Sequence, residues 1–291
     1  MEVRNFIVTQ AKLASENEYI KKLVQGIKIA AYYDVDALVT RQLTPLKNYL
    51  LNRELGVIQW ADYTLLVDKQ ALIKRVNLNC KACTKKHAAG CCFGSPCNYG
   101  KRNLAVFNQY QSQLIKELIK IEPARYAQLL AHQIESMSEE LLRCGEKLEL
   151  EMVDEKGTVT SCEGRCGLLI RKDGVARCLT HQYALENNLS VYELSPLSCL
   201  MFPLDFLVFL TETGEEVVFL TSVVEDEFAE QYGRWGRYRN FELDFECVSV
   251  EAHNEIFKIE DYKPLYEVNK DLFIHEFGEE VYEGICMICR K

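Results

Sequence analysis

The chain lacks the features that mark most enzymes of small metabolites. It has no Gly-rich phosphate loop, no dinucleotide fingerprint and no nucleophile elbow, which counts against ATP-, NAD- or serine-based chemistry. S-adenosylmethionine chemistry at an iron–sulfur cluster stays open, although the compact Cys-x3-Cys-x2-Cys loop of radical enzymes is missing. Long apolar runs are also missing. The most apolar stretch, Leu197 to Leu210, contains Asp205 and is too short to cross a bilayer. No basic segment leads into an apolar one at the N-terminus, so no secretory signal is expected. Positive charge is in deficit, with 34 Lys and Arg against 43 Asp and Glu and a net charge of −9. That balance opposes long-range attraction to nucleic acid or to anionic membrane. Internal repeats and low-complexity segments are absent too. The expectation is a cytoplasmic protein with neither a membrane nor a nucleic-acid partner; the sequence specifies no protein partner.

Cysteine, by contrast, is abundant, with thirteen among 291 residues. A chain of this length, 48% apolar and 26% charged, can build a core without disulfide staples. In a reducing compartment, clustered cysteines bind metal or do redox chemistry. Cys80, Cys83, Cys91, Cys92 and Cys97 fall in one loop-like run, and Cys162, Cys166, Cys178 and Cys199 form a second group. Grouped thiolates are soft ligands that select zinc, copper(I) or iron–sulfur clusters. Cys80-x2-Cys83 has chelating spacing. The adjacent Cys91 and Cys92, flanked by Gly90 and Gly94, suit a multinuclear cluster more easily than a lone tetrahedral zinc. In the second group Cys178-x2-His181 is another chelating pair, and four cysteines drawn from two segments satisfy either zinc or an iron–sulfur site. The isolated Cys144 and Cys247 read as ordinary buried thiols.

Periodicity predicts an α+β fold in two parts. Residues 1–61 form a helical N-terminal extension, and 62–291 a cysteine-rich, metal-organised domain of helices and short antiparallel hairpins. Ser15 and Glu18 have capping-box spacing ahead of a helix whose apolar residues run to Ala30. Thr44 and Pro45 start a second helix that Gly56 stops. Thr64–Val67 reads as a strand. Helices are expected over Leu104–Ile121 and from Pro123 to Arg143. From Lys147 the pattern turns to strands: an alternating LELEMV, a hairpin at Lys172-Asp173-Gly174, and a second hairpin within Phe206–Thr221. A short helix at His181–Asn188, a turn of helix after Ser195-Pro196 that presents Cys199, and a helical tail over Asp261–Tyr282 complete the expectation.

The ordered cysteines, the Pro196-Leu-Ser-Cys199-Leu-Met-Phe202-Pro203 run and the closing segment from Lys263 to Ile285 together resemble the YkgJ-type cysteine-cluster proteins. That family is described as a zinc- or iron-chelating domain, and its uncharacterised bacterial relatives are more similar still. The resemblance covers about residues 62–285. It implies a zinc or iron–sulfur centre held by Cys80, Cys83, Cys91, Cys92, Cys166, Cys178 and Cys199. Flagellin lysine methylases carry a similar cluster, so the resemblance also allows an enzyme, either an iron–sulfur-dependent methyltransferase or an oxidoreductase. No residue stands out as catalytic. Three weaker signals remain. His87 lies within the first cysteine run, Gly233–Asn240 interleaves arginines with Trp235 and Tyr238, and Cys286-x2-Cys289 repeats a dithiol spacing near the end.

Overall fold

The computed structural model describes residues 7–35, 38–39, 42–60, 63–80, 83, 97–137, 149–224, 228, 231–232 and 246–290. In chain order the first elements are β1 (Ile7–Ala11), α1 (Glu18–Gln25), β2 (Ile27–Tyr32), α2 (Leu43–Leu51), β3 (Leu55–Trp60), β4 (Tyr63–Asp68), α3 (Lys69–Leu72) and β5 (Arg75–Val76). Next come α4 (Lys101–Ile121), α5 (Pro123–Ser136), β6 (Ser161–Cys162), β7 (Arg165–Cys166), β8 (Leu169–Lys172), β9 (Val175–Cys178), α6 (Leu179–Glu186), α7 (Val191–Leu194) and α8 (Leu197–Met201). The chain continues through β10 (Leu204–Thr211), β11 (Glu216–Ser222), β12 (Lys263–Pro264), α9 (Leu265–Val268), α10 (Lys270–Phe277) and α11 (Glu279–Arg290). The fold is α+β. None of the described helices is long and apolar enough to cross a membrane.

The chain divides into two compact units, Met1–Asn79 with Met201–Lys291, and Cys80–Leu200. Neither cut falls at residue 61. The first unit is built on a six-stranded sheet in the order β1-β3-β4-β11-β10-β2. All its pairings are antiparallel except β4 with β11, which run parallel with Leu66 opposite Phe219. The central strands carry uninterrupted apolar runs, Leu65–Val67 and Val217–Leu220, because both of their faces are covered. One face packs on Ile20, Val24, Leu46 and Leu50 of α1 and α2.

The segment expected as a helical N-terminal extension also supplies β1, β2 and β3. The first helix starts two residues after the expected cap, because Asn17 rather than Ser15 accepts from the Tyr19 and Ile20 amides. It ends at Gln25, and Ile27–Tyr32 pairs with β10 instead of continuing the helix. Gly56 is not a helix stop. It lies inside β3, where an added Cβ would come within 2.4 Å of Ile288 Cδ1 on α11, so the close approach of helix and strand needs glycine there. The tail is helical but broken, because Gly278 takes φ 91° between α10 and α11.

The second unit packs α4, α5, α6 and α7 around an apolar cluster that includes Phe107, Leu114, Leu118, Leu129, Leu168 and Ile170. The Lys172-Asp-Gly turn does close an antiparallel hairpin, with Leu169 opposite Cys178 and positive φ at Asp173 and Gly174. The expected LELEMV strand does not form over residues 149–152; only Val153 makes an isolated bridge, to Val159.

Candidate metal centre

Three of the sequence-nominated cysteines lie on separate elements of the second unit. Cys166 ends β7, where Ser161 pairs with it across a two-residue ladder. Its carbonyl accepts from Nη2 of the buried Arg125 at 3.2 Å. The next residue, Gly167, donates to Thr160 O at 2.7 Å, and a Cβ there would meet the same oxygen at 2.7 Å, so the turn that places Cys166 admits only glycine. Cys178 ends β9 and stands immediately before α6, half-buried. Cys199 lies in α8 and is exposed.

The chain leaving the first cysteine run is locked to the turn that carries Cys199. Asn98 N donates to Ser198 Oγ at 2.9 Å, and Ser198 Oγ donates back to Asn98 O at 3.0 Å. Tyr99 Oη donates to Leu194 O at 3.2 Å. Asn103 Nδ2 donates to Tyr192 O at 2.6 Å and Ser195 O at 3.1 Å. On its other side this segment is tied by Val159 N to Cys97 O and Tyr99 N to Gly157 O, both at 2.8 Å.

Tyr99 is buried beside this clamp. Burial pushes its hydroxyl well above the ordinary phenol value; the negative charges that Cys178, Cys199 and Cys166 would carry push it further, and the Thr180 hydroxyl opposes them. The Cys178 thiol is itself raised, first by burial and then by Cys166, while the Thr180 hydroxyl and the backbone N–H groups of His181 and Thr180 pull it back. Such a thiol keeps its proton at neutral pH. Partial burial lowers the imidazole of His181, which favours the neutral, ligating form.

Among the described residues, no three His, Cys, Asp or Glu side chains come together closely enough to hold a metal ion. Cys80 is exposed and Cys83 half-buried. Cys91 and Cys92 lie outside the described residues, as do His87, Cys144 and the segment Gly233–Asn240. Cys97 and Cys162 are buried in the apolar cluster of the second unit. Cys247, read from sequence as a buried thiol, is only half-buried. The pair Cys286 and Cys289 is buried on α11 in the first unit, and burial together with Cys286 pushes Cys289 up to about 12, a poor setting for a reactive thiolate.

Sequence reasoning missed Tyr99, Thr180 and the polar clamp of Asn98, Asn103 and Ser198. Their only signal was position, since Tyr99 follows Cys97 by two residues and Thr180 follows Cys178 by two. No family model matches the chain, and neither a curated protein nor a solved structure does.

Proposed function

We propose that the unit Cys80–Leu200 is a metal-binding module of a cytoplasmic protein, holding zinc or an iron–sulfur cluster. Cys166, Cys178 and Cys199 supply one side of the centre, and Cys80, Cys83, Cys91 and Cys92 the other. One observation carries this reading: the mutual hydrogen bonds of Asn98 and Ser198 tie the end of the first cysteine run to the turn that carries Cys199. An all-thiol donor set is the chemistry of zinc or an iron–sulfur cluster, not of a hard cation. The resemblance of Pro196–Pro203 to the YkgJ-type cysteine-cluster proteins points the same way. When bound, the group would supply either structural cross-linking or electron transfer.

The test is anaerobic purification followed by metal analysis and visible absorption. Brown protein with sulfide and iron near equal amounts selects the cluster; colourless protein with stoichiometric zinc selects the mononuclear site. Folded, metal-free protein indifferent to chelators would overturn the reading. Cys178→Ser and Cys199→Ser are each expected to lower metal content, and unchanged content in both would separate these cysteines from the centre.

A catalytic use of the centre, in methyl transfer or redox chemistry, is the second reading. The exposure of Cys80 and Cys199 favours it, because a centre that includes them is reached from solvent and can keep an exchangeable position. A spectral change on adding S-adenosylmethionine would support methyl transfer. No change with that cofactor or with small-molecule oxidants would leave the structural role standing.

A further inference from the structure

Arg125 is a buried cation without a matching carboxylate. The residue is only 6% exposed and stands in the first turn of α5. Its Nη1 donates to Gln128 Oε1 at 2.6 Å and its Nη2 to Cys166 O at 3.2 Å, and both acceptors are uncharged. Among the described residues no Asp or Glu forms an ion pair with it. The nearest acid along the chain, Glu122, turns its carboxylate to the Arg171 amide at 2.8 Å. It gives Arg125 only its backbone oxygen, which accepts from the Arg125 amide at 2.9 Å.

Arginine is seldom buried to this degree unless it is paired. Its guanidinium stays protonated in proteins, so it cannot relieve the cost of burial by losing its charge. Position adds to that cost. Arg125 is the third residue of a fourteen-residue helix, where the helix dipole already presents positive charge and favours an anion. Donors also outnumber acceptors. A guanidinium has five N–H groups, and the two hydrogen bonds leave Nε–H and one N–H on each of the other nitrogens without a protein acceptor. Nε–H with a neighbouring Nη–H is the fork that matches two oxygens of a carboxylate or phosphate. The half-buried Gln128 commits its oxygen to Arg125, which leaves its Nε2 protons as further donors beside the guanidinium.

We propose that Arg125 anchors a binding site for a small oxyanion, a carboxylate or phosphate group, with the Gln128 amide as its second donor. The bound anion supplies the charge that the protein withholds. The site needs no metal and stands independently of the metal-centre reading. It also has a structural consequence, because the same guanidinium holds the Cys166 carbonyl and so links the anion to the contact between α5 and β7.

The experiment titrates full-length protein with inorganic phosphate and, separately, with acetate, in chloride buffer at constant ionic strength. Binding is read by calorimetry and the unfolding temperature is followed in parallel. At least one of the two anions is expected to bind and to raise the unfolding temperature, and the tighter one names the class of ligand. Arg125→Met should weaken that binding at least about tenfold. A wild-type protein that responds to neither anion beyond chloride would overturn the proposal, and Arg125 would then be a structural clamp on Cys166. Binding that Arg125→Met leaves unchanged would overturn it as well, because the ion would sit elsewhere. Should Arg125→Met fail to fold by circular dichroism, Arg125→Lys decides, since it keeps the charge and loses the fork. Weaker binding by that variant supports the site, and equal binding overturns it.

Discussion

Asp68 is the most heavily partnered carboxylate of the first unit, and its surroundings decide what a substitution does. It is fully buried. Arg53 grips it with Nε at 3.1 Å and Nη2 at 3.0 Å, Tyr49 Oη donates at 3.2 Å, Thr221 Oγ1 at 3.0 Å and the Ala71 amide at 3.2 Å. Breaking a buried ion pair from one side leaves its partner charge uncompensated, which costs about 3–5 kcal/mol. Asp68→Ala should therefore lose roughly that much stability in urea unfolding, with a smaller loss for Asp68→Asn, which keeps an acceptor oxygen. An unchanged midpoint for Asp68→Ala would remove this hub from the stability argument. Gly56 is limited by space rather than charge: its missing Cβ leaves room for Cδ1, Cγ1 and Cγ2 of Ile288, which would sit 2.4 to 2.8 Å away. Gly56→Ala is expected to cost about 1–3 kcal/mol of overpacking. Ile288→Val in the same chain, which removes Cδ1, should recover part of it; a double variant no better than the single one would place the strain elsewhere.

At the scale of elements, α11 shows how one dithiol spacing can mean different things. Cys286 and Cys289 are one helical turn apart and both face the interior, where Cys289 is pushed up to about 12 by burial and by Cys286. The folded thiol holds its proton more tightly than the unfolded one, whose ordinary value is 9.0. The stability this contributes is complete below about pH 9 and drains as pH rises towards 12, by up to about 1.4 kcal/mol per pH unit. Cys289→Ala should flatten that alkaline fall; an equally steep fall in the variant would assign it to other groups. Sequence alone gave no means to separate this pair from Cys80-x2-Cys83, because spacing reports which thiols can converge and not whether water reaches them. Hairpins with strong turn chemistry were legible, as at Asp173-Gly174, and so was the amphipathic α4, whose Phe107, Leu114 and Leu118 repeat at helical intervals. The switch from α1 to β2 was not, since Ile27 and Ala30 suit a helical face as well as a strand and only pairing with β10 selects the strand. Nor was the clamp around Asn98 and Ser198, whose partners are a hundred residues apart.

Across the whole molecule, the chain enters the second unit at Cys80 and leaves it at Leu200, so the first unit is made from two separated stretches. Each unit has its own apolar cluster. The first is centred on Leu46, Leu66, Leu207 and Phe219, and the second on Phe107, Leu114, Leu168 and Ile170. They should differ in what their stability depends on. The first is a closed ledger of sheet pairing and side-chain burial with no proposed ligand. The second contains the thiols proposed to hold a metal, and a ligand that binds only the folded form adds stability that grows with its concentration. Calorimetry of metal-loaded protein is therefore expected to resolve two transitions. A chelator should lower the one belonging to Cys80–Leu200 and leave the other in place. Limited proteolysis with the chelator should then cut within 80–200 while the β10–β11 hairpin stays intact. A single transition that moves as a whole would mean that the units unfold together, and transitions indifferent to the chelator would count against a metal as part of the second unit's stability. Asp68→Ala provides the reciprocal control, because it should lower the chelator-insensitive transition alone.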